Sequence, residues 1–121
     1  MSSENVLEEK LYSAIYRHAP ISAQKVRYFA DLIRSMKADQ AAEQLQFFPN
    51  RGAKMLEKVL RSAMGNAADL GDPDPESLDI FEVRIDGGPM QKRWRPKSRG
   101  MSTIVKKRTS HITVVLGRII D

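Results

Sequence analysis

Residues 87 to 109 read GGPMQKRWRPKSRGMSTIVKKRT, and the reading of this stretch decides the architecture. It holds eight basic residues, one Trp, two Pro, three Gly and no acid. A structureless loop of 23 residues would be unusual inside a compact domain. The flanks suggest something more regular. Upstream, LDIFEVRID (78 to 86) alternates, with Phe81, Val83 and Ile85 expected on one face. Downstream, Ile112, Val114 and Leu116 alternate in the same way. Both runs are rich in β-branched residues and are predicted to be strands lying against helices. The economical arrangement lets both strands continue outward as a hairpin arm over about residues 84 to 112. With Asp86 roughly opposite Thr109, the bend falls near Pro96 to Arg99 and each leg runs about ten residues, or ~30 Å. A lone two-stranded ribbon is marginal in water, so such an arm is expected to be mobile when free and ordered against a partner.

Charge names the kind of partner. The chain of 121 residues carries a formal net charge of +5, but unevenly. Residues 1 to 83 hold 10 Lys/Arg against 13 Asp/Glu, whereas residues 84 to 121 hold 10 Lys/Arg and only Asp86 and Asp121. A segment this one-sided points to a polyanion, and to nucleic acid in particular. Trp94 strengthens the point. A single Trp is normally a core anchor, yet here it is flanked by Lys92, Arg93, Arg95 and Lys97. Stacking on a base or lying against RNA backbone suits an indole among cations better than burial in protein.

Working back toward the N-terminus, KLYSAIYRHAPI (10 to 21) is expected to be a strand that turns at Pro20, although its apolar residues do not alternate cleanly. Ser22 stands where an N-cap belongs. Val26, Phe29, Ala30 and Ile33, continued by Met36, then make one apolar stripe at helical spacing. A short second helix is expected from Asp39, with Ala41, Ala42, Leu45 and Phe48 inward, stopping at Pro49. A third follows Asn50, its inner stripe formed by Ala53, Leu56, Leu60, Ala63 and Ala67. Arg51, Lys54, Lys58 and Arg61 fall roughly opposite at ~100° per residue. That basic stripe has two readings, a face that meets something negative and an ordinary solvated face. Gly71 and the Asp-Pro-Asp-Pro run at 72 to 75 end the helix. Residues 1 to 9 read as a polar extension and 10 to 121 as a single domain of α+β class: three helices on a small antiparallel sheet with a protruding basic hairpin.

Other chemistry finds little support. The chain has no Cys, which excludes disulfides, thiolate metal sites and a Cys nucleophile together. Ser110-His111 is not a catalytic pair, because strand neighbours point to opposite faces. The acidic run DLGDPDPESLDIFE (69 to 82) lacks the spacing of a calcium loop, and Gly87-Gly88-Pro89 lacks that of a phosphate loop. No enzyme, cofactor or metal is expected. No apolar run approaches the ~20 residues that span a bilayer, so no membrane partner is expected either. The polar, acidic start is neither a secretory signal nor an Arg-rich transit peptide, which leaves cytosol or organelle matrix.

Four motifs occur in order: ISAQKVR (21 to 27), NRGA (50 to 53), GGP…KR…P…RG (87 to 100) and KKRTSHITVVLG (106 to 117). Together, over about residues 10 to 118, the chain resembles the bacterial-type large-subunit ribosomal protein L-twenty-two family. KRTSHITV is the specific motif of the four. The resemblance implies a structural constituent of the ribosome that binds large-subunit ribosomal RNA, supports assembly and lines the peptide exit tunnel with its hairpin tip. Its implied partners are ribosomal RNA, neighbouring ribosomal proteins and the nascent peptide, without homo-oligomerisation. Carried over by position, the RNA-binding residues are Ser22, Gln24, Lys25 and Arg27, then Asn50 and Arg51. The tip contributes Gln91, Lys92, Arg93, Trp94, Arg95, Lys97 and Arg99, and the following strand Lys107, Arg108, Thr109, Ser110 and His111. The charge pattern adds Lys54, Lys58 and Lys106. Ala23 replaces a usual proline, Trp94-Arg95 a smaller aliphatic pair, and Gly100-Met101-Ser102 lacks a usual arginine or alanine. The competing readings are a free-standing nucleic-acid chaperone with a basic arm and an enzyme acting on nucleic acid.

Overall fold

The computed structural model describes residues 6–89, 91–96 and 102–120. Strand β1 (Val6–Ala19) leads into helices α1 (Ala23–Ile33), α2 (Ala38–Gln46) and α3 (Arg51–Asp69). A single 3₁₀ turn (Pro75–Ser77) then precedes β2 (Asp79–Gly87), β3 (Gln91–Pro96), β4 (Ser102–Lys107) and β5 (Ser110–Ile120). The body sheet is antiparallel in the order β1-β5-β2, and β3-β4 form a separate two-stranded ribbon. The α+β class expected from the sequence is what the chain adopts.

The helices obey their stripes. Val26, Phe29, Ala30 and Ile33 of α1 are buried, as are Ala41, Ala42 and Leu45 of α2 and Ala53, Leu56, Leu60, Ala63 and Ala67 of α3. Helix α3 also buries Gly52 and Val59. It packs across β1 and β5, α1 packs against β2, and α2 lies on α3. Ser22 and Asn50 are the N-caps of α1 and α3 by backbone geometry, yet neither side chain makes a capping hydrogen bond. Phe48 lies past the end of α2, half-buried, with its ring 5.2 Å from that of Phe29.

One expectation fails in β2. Phe81 is exposed, and Ile80 takes its place in the core beside Val83 and Ile85. The cause is a bulge: Ile80 faces Leu116 whereas Glu82 faces Val115, so β2 spends two residues where β5 spends one. An extra residue reverses the side-chain parity on its far side. The uneven pattern in β1 has a simpler source. Tyr12 points inward and is buried, while Leu11 and Ile15 stand exposed on the outer face. The sheet is therefore apolar on both sides of that strand.

The hairpin register also differs from expectation. Asp86 faces His111, not Thr109, and Gly87 faces Ser110. In the arm, Gln91 faces Lys107 and Pro96 faces Ser102, and the bend expected near Pro96 to Arg99 lies largely outside the described residues. Two substitutions test the bulge. Ile80→Ala should cost about 2–5 kcal/mol, whereas Phe81→Ala should cost well under about 1 kcal/mol in denaturant unfolding. A strictly alternating strand would give the reverse order.

Candidate nucleic-acid interface

Three separate stretches of chain meet at the base of the arm. A cleft of about 460 Å³ is lined by Ser22, Ala23, Gln24 and Arg27 from the start of α1, Gly87 and Gly88 from the end of β2, and Arg108 and Thr109 ahead of β5. Helix α1 begins here, so its first-turn N–H groups and the positive end of its dipole sit at the cleft, beside two guanidinium groups. A cleft with these groups suits an anion of phosphate type. Arg27 is also structural: its Nη2 donates to the Ile85 carbonyl at 3.2 Å, one of the five donors a guanidinium holds.

The cleft wall depends on one close approach. Gly88 N–H donates to the Thr109 carbonyl at 2.9 Å, and Thr109 Oγ1 donates to the Pro89 carbonyl at 2.7 Å. A Cβ on Gly88 would overlap Thr109, lying 3.2 Å from its carbonyl carbon and nearer still to Oγ1. A similar approach joins the helices. A Cβ on Gly52 would lie 2.8 Å from the Lys25 carbonyl oxygen, so the first turn of α3 sits on the first turn of α1. The exposed residues Gln24, Lys25, Asn50 and Arg51 thereby belong to one region of surface.

Along α3, Arg51, Lys54, Lys58 and Arg61 are exposed as the spacing required. Two of them have partners. Arg61 Nε lies 2.8 Å from Glu57 Oε2, and Lys58 Nζ sits 5.7 Å from the centroid of the Tyr16 ring. His111 is half-buried on the outer face of the sheet. Ser110 is fully buried, and its Oγ has no hydrogen-bond partner among the described residues. Gln91, Lys92, Arg93, Trp94 and Arg95 lie on β3, and Lys106 and Lys107 on β4. Lys97 and Arg99 lie outside the described residues. One feature escaped the sequence reading. Gly87 and Gly88 were read as part of a family motif and weighed as a phosphate loop, but no local pattern signals a partner 21 residues away, as Thr109 is from Gly88.

Residues 14–117 match the family model described as ribosomal protein L22p/L17e. The chain belongs to this family. A protein of Rhodopirellula baltica named large ribosomal subunit protein uL22 is 52% identical over 116 residues, covering 89% of this chain and 95% of that relative. Proteins of the same name from Caldicellulosiruptor saccharolyticus and Desulfotalea psychrophila are 46% and 47% identical, covering 90% and 85% of this chain and 89% and 94% of theirs. The L22p/L17e family consists of structural ribosomal proteins, and this member is not an enzyme. No helix of the described residues is long and apolar enough to cross a membrane.

The Gly88 contact gives a test of how the cleft is built. Gly88→Ala should lower stability by about 1–3 kcal/mol, because the added methyl must push Thr109 or the hairpin base aside. Amide shifts should move most at Arg108 and Thr109. Wild-type stability with unmoved Thr109 signals would mean that the approach is not tight.

Proposed function

We propose that the chain is a structural constituent of the large ribosomal subunit: it binds large-subunit ribosomal RNA, supports assembly, and lines the peptide exit tunnel with its hairpin tip. The observation that carries this reading is the cleft, where Ser22, Gln24 and Arg27 from one motif meet Arg108 and Thr109 from another. The relatives bear the name of a large-subunit ribosomal protein, which supports the same reading.

In this proposal Ser22, Gln24, Lys25, Arg27, Asn50 and Arg51 contact RNA beside the cleft. Lys54 and Lys58 extend the contact along α3. Arg108, Thr109 and His111 carry it into β5, with the fully buried Ser110 supporting them from beneath, and Lys106 and Lys107 carry it into the arm. Gln91, Lys92, Arg93, Trp94, Arg95, Lys97 and Arg99 serve the tip, where the nascent peptide passes. Neighbouring ribosomal proteins are the further partners, and the protein resides in ribosomes of the cytoplasm or an organelle matrix. Residues 10 to 121 act as one RNA-binding domain, and the polar extension at 1 to 9 joins it through the first residues of β1, which begins at Val6. The alternative of a free-standing nucleic-acid chaperone also fits a basic arm, and sedimentation separates the two. The chain should be present stoichiometrically in salt-washed large subunits, and its absence there would overturn the ribosomal reading.

Binding to large-subunit ribosomal RNA should weaken steeply with salt, with a log–log slope of several units if the eight basic residues between 92 and 108 meet phosphates. A slope near zero would sink the electrostatic account. Charge reversal of Arg51 and Lys54 should change stability by no more than about 0.5 kcal/mol each. It should nonetheless impair incorporation into subunits. Normal incorporation would make the stripe a solvated face.

The tunnel assignment has its own test. Deleting Gln91 to Arg93 should leave the body stable and incorporated, yet alter macrolide susceptibility or readthrough of a stalling peptide. An unchanged drug response in fully incorporated mutant ribosomes would place the arm elsewhere.

A further inference from the structure

His18 has an unusual backbone. Its φ of 57° puts a non-glycine residue in the left-handed region, at a point where the pairing of β1 with β5 breaks between Tyr16 and Ala19. This geometry turns the His18 N–H toward β5, where it donates to His111 Nδ1 at 3.1 Å. The two rings pack edge to face, with centroids 4.8 Å apart and planes at 81°. A neutral imidazole has one donor and one acceptor nitrogen. With Nδ1 accepting from His18, the proton of His111 must be on Nε2. Nε2 itself has no hydrogen-bond partner among the described residues. The residue opposite on β2, Asp86, is engaged by Arg84, whose Nε lies 3.3 Å from its carboxylate.

We propose that His18 is a positioning residue for RNA binding: its backbone N–H holds the His111 ring in the Nε2–H tautomer, so that a fixed neutral donor faces an oxygen acceptor of ribosomal RNA. The inference rests on the RNA-binding reading above and deepens it, since His18 belongs to none of the motifs from which that site was drawn. A phosphate oxygen and a ribose 2′-hydroxyl are both acceptors for such a donor. The ring is half-buried and its Nδ1 is held by the His18 N–H, so the donor is oriented before RNA arrives.

Nitrogen-15 NMR of the full chain tests the geometry directly. A scalar coupling across the hydrogen bond should link the His18 amide nitrogen to His111 Nδ1, with ring shifts of the Nε2–H form. His18→Gly keeps the N–H and suits a positive φ, so it should retain both the coupling and the affinity for a large-subunit ribosomal RNA transcript. His18→Val disfavours that backbone conformation and should lose the coupling. Its affinity should fall about tenfold, the scale of one hydrogen bond to a charged group. His111→Phe should fall by a similar factor, and the double variant by no more than either alone.

No coupling in the wild type, or its loss in His18→Gly, would overturn the proposal, and neither result requires the Val variant to fold. Full affinity in a folded His18→Val that has lost the coupling would overturn it too, as would additive losses in the double variant. A wild-type chain that fails to bind the transcript would instead bring down the RNA-binding reading, and this inference with it.

Discussion

A central antiparallel strand must occupy both its edges and bury one face, and the body of this protein is organised around the strand that does so. β5 pairs with β1 on one side and β2 on the other. Its Ile112, Val114 and Leu116 are fully buried beneath the helices. Burying such side chains contributes about 1.5–3 kcal/mol each before entropy is counted. The same three positions set the neighbours: Tyr12, Ala14 and Tyr16 of β1, and Ile80, Val83 and Ile85 of β2, face them in register. A slip of one residue in β5 would turn all of these contacts toward water.

The outer edge of β2 is handled by helix α1. Arg34 Nη2 donates to the Val83 carbonyl at 3.0 Å, and Arg27 Nη2 to that of Ile85 at 3.2 Å. Two backbone acceptors that would otherwise invite a further strand are thereby engaged. Helix α1 thus fastens to β2 by two chemistries, its apolar stripe within and its guanidinium groups along the rim. At the far end, Arg118 of β5 reaches Asp72 at 3.1 Å and so ties the acidic loop after α3 to the sheet. Acidic groups collect at that end, while the cleft and the arm carry basic ones. The charge asymmetry along the chain has become an asymmetry in space.

Much of this was legible from periodicity, because a stripe such as Ala53, Leu56, Leu60, Ala63 and Ala67 reports its own burial. The inward set of β5 was legible for the same reason. Phe81 was not, since a bulge is a relation between two strands and no local pattern distinguishes it from continued alternation. The helix stripes were visible, but not the approach of Gly52 to Lys25 that seats α3 on α1. The candidate site divides similarly. Composition and motifs picked out its residues one segment at a time, and folding alone could show Ser22, Gln24 and Arg27 meeting Arg108 and Thr109. His18 stood out in no local pattern, because its role depends on a residue 93 positions away.

The base of the arm has a consequence for how this fold can vary. Three residues separate Gly87 from Gln91 on the outgoing leg, and two separate Lys107 from Ser110 on the returning one. The ladder of the body therefore ends at this mismatch, and the ribbon beyond it starts a register of its own. Equal insertions in both legs would lengthen the arm by about 3.3 Å per residue pair without altering a single pairing in the body. Reach is thus a heritable dimension that selection can adjust separately from stability, much as a telescoping rod can be extended without rebuilding its mount.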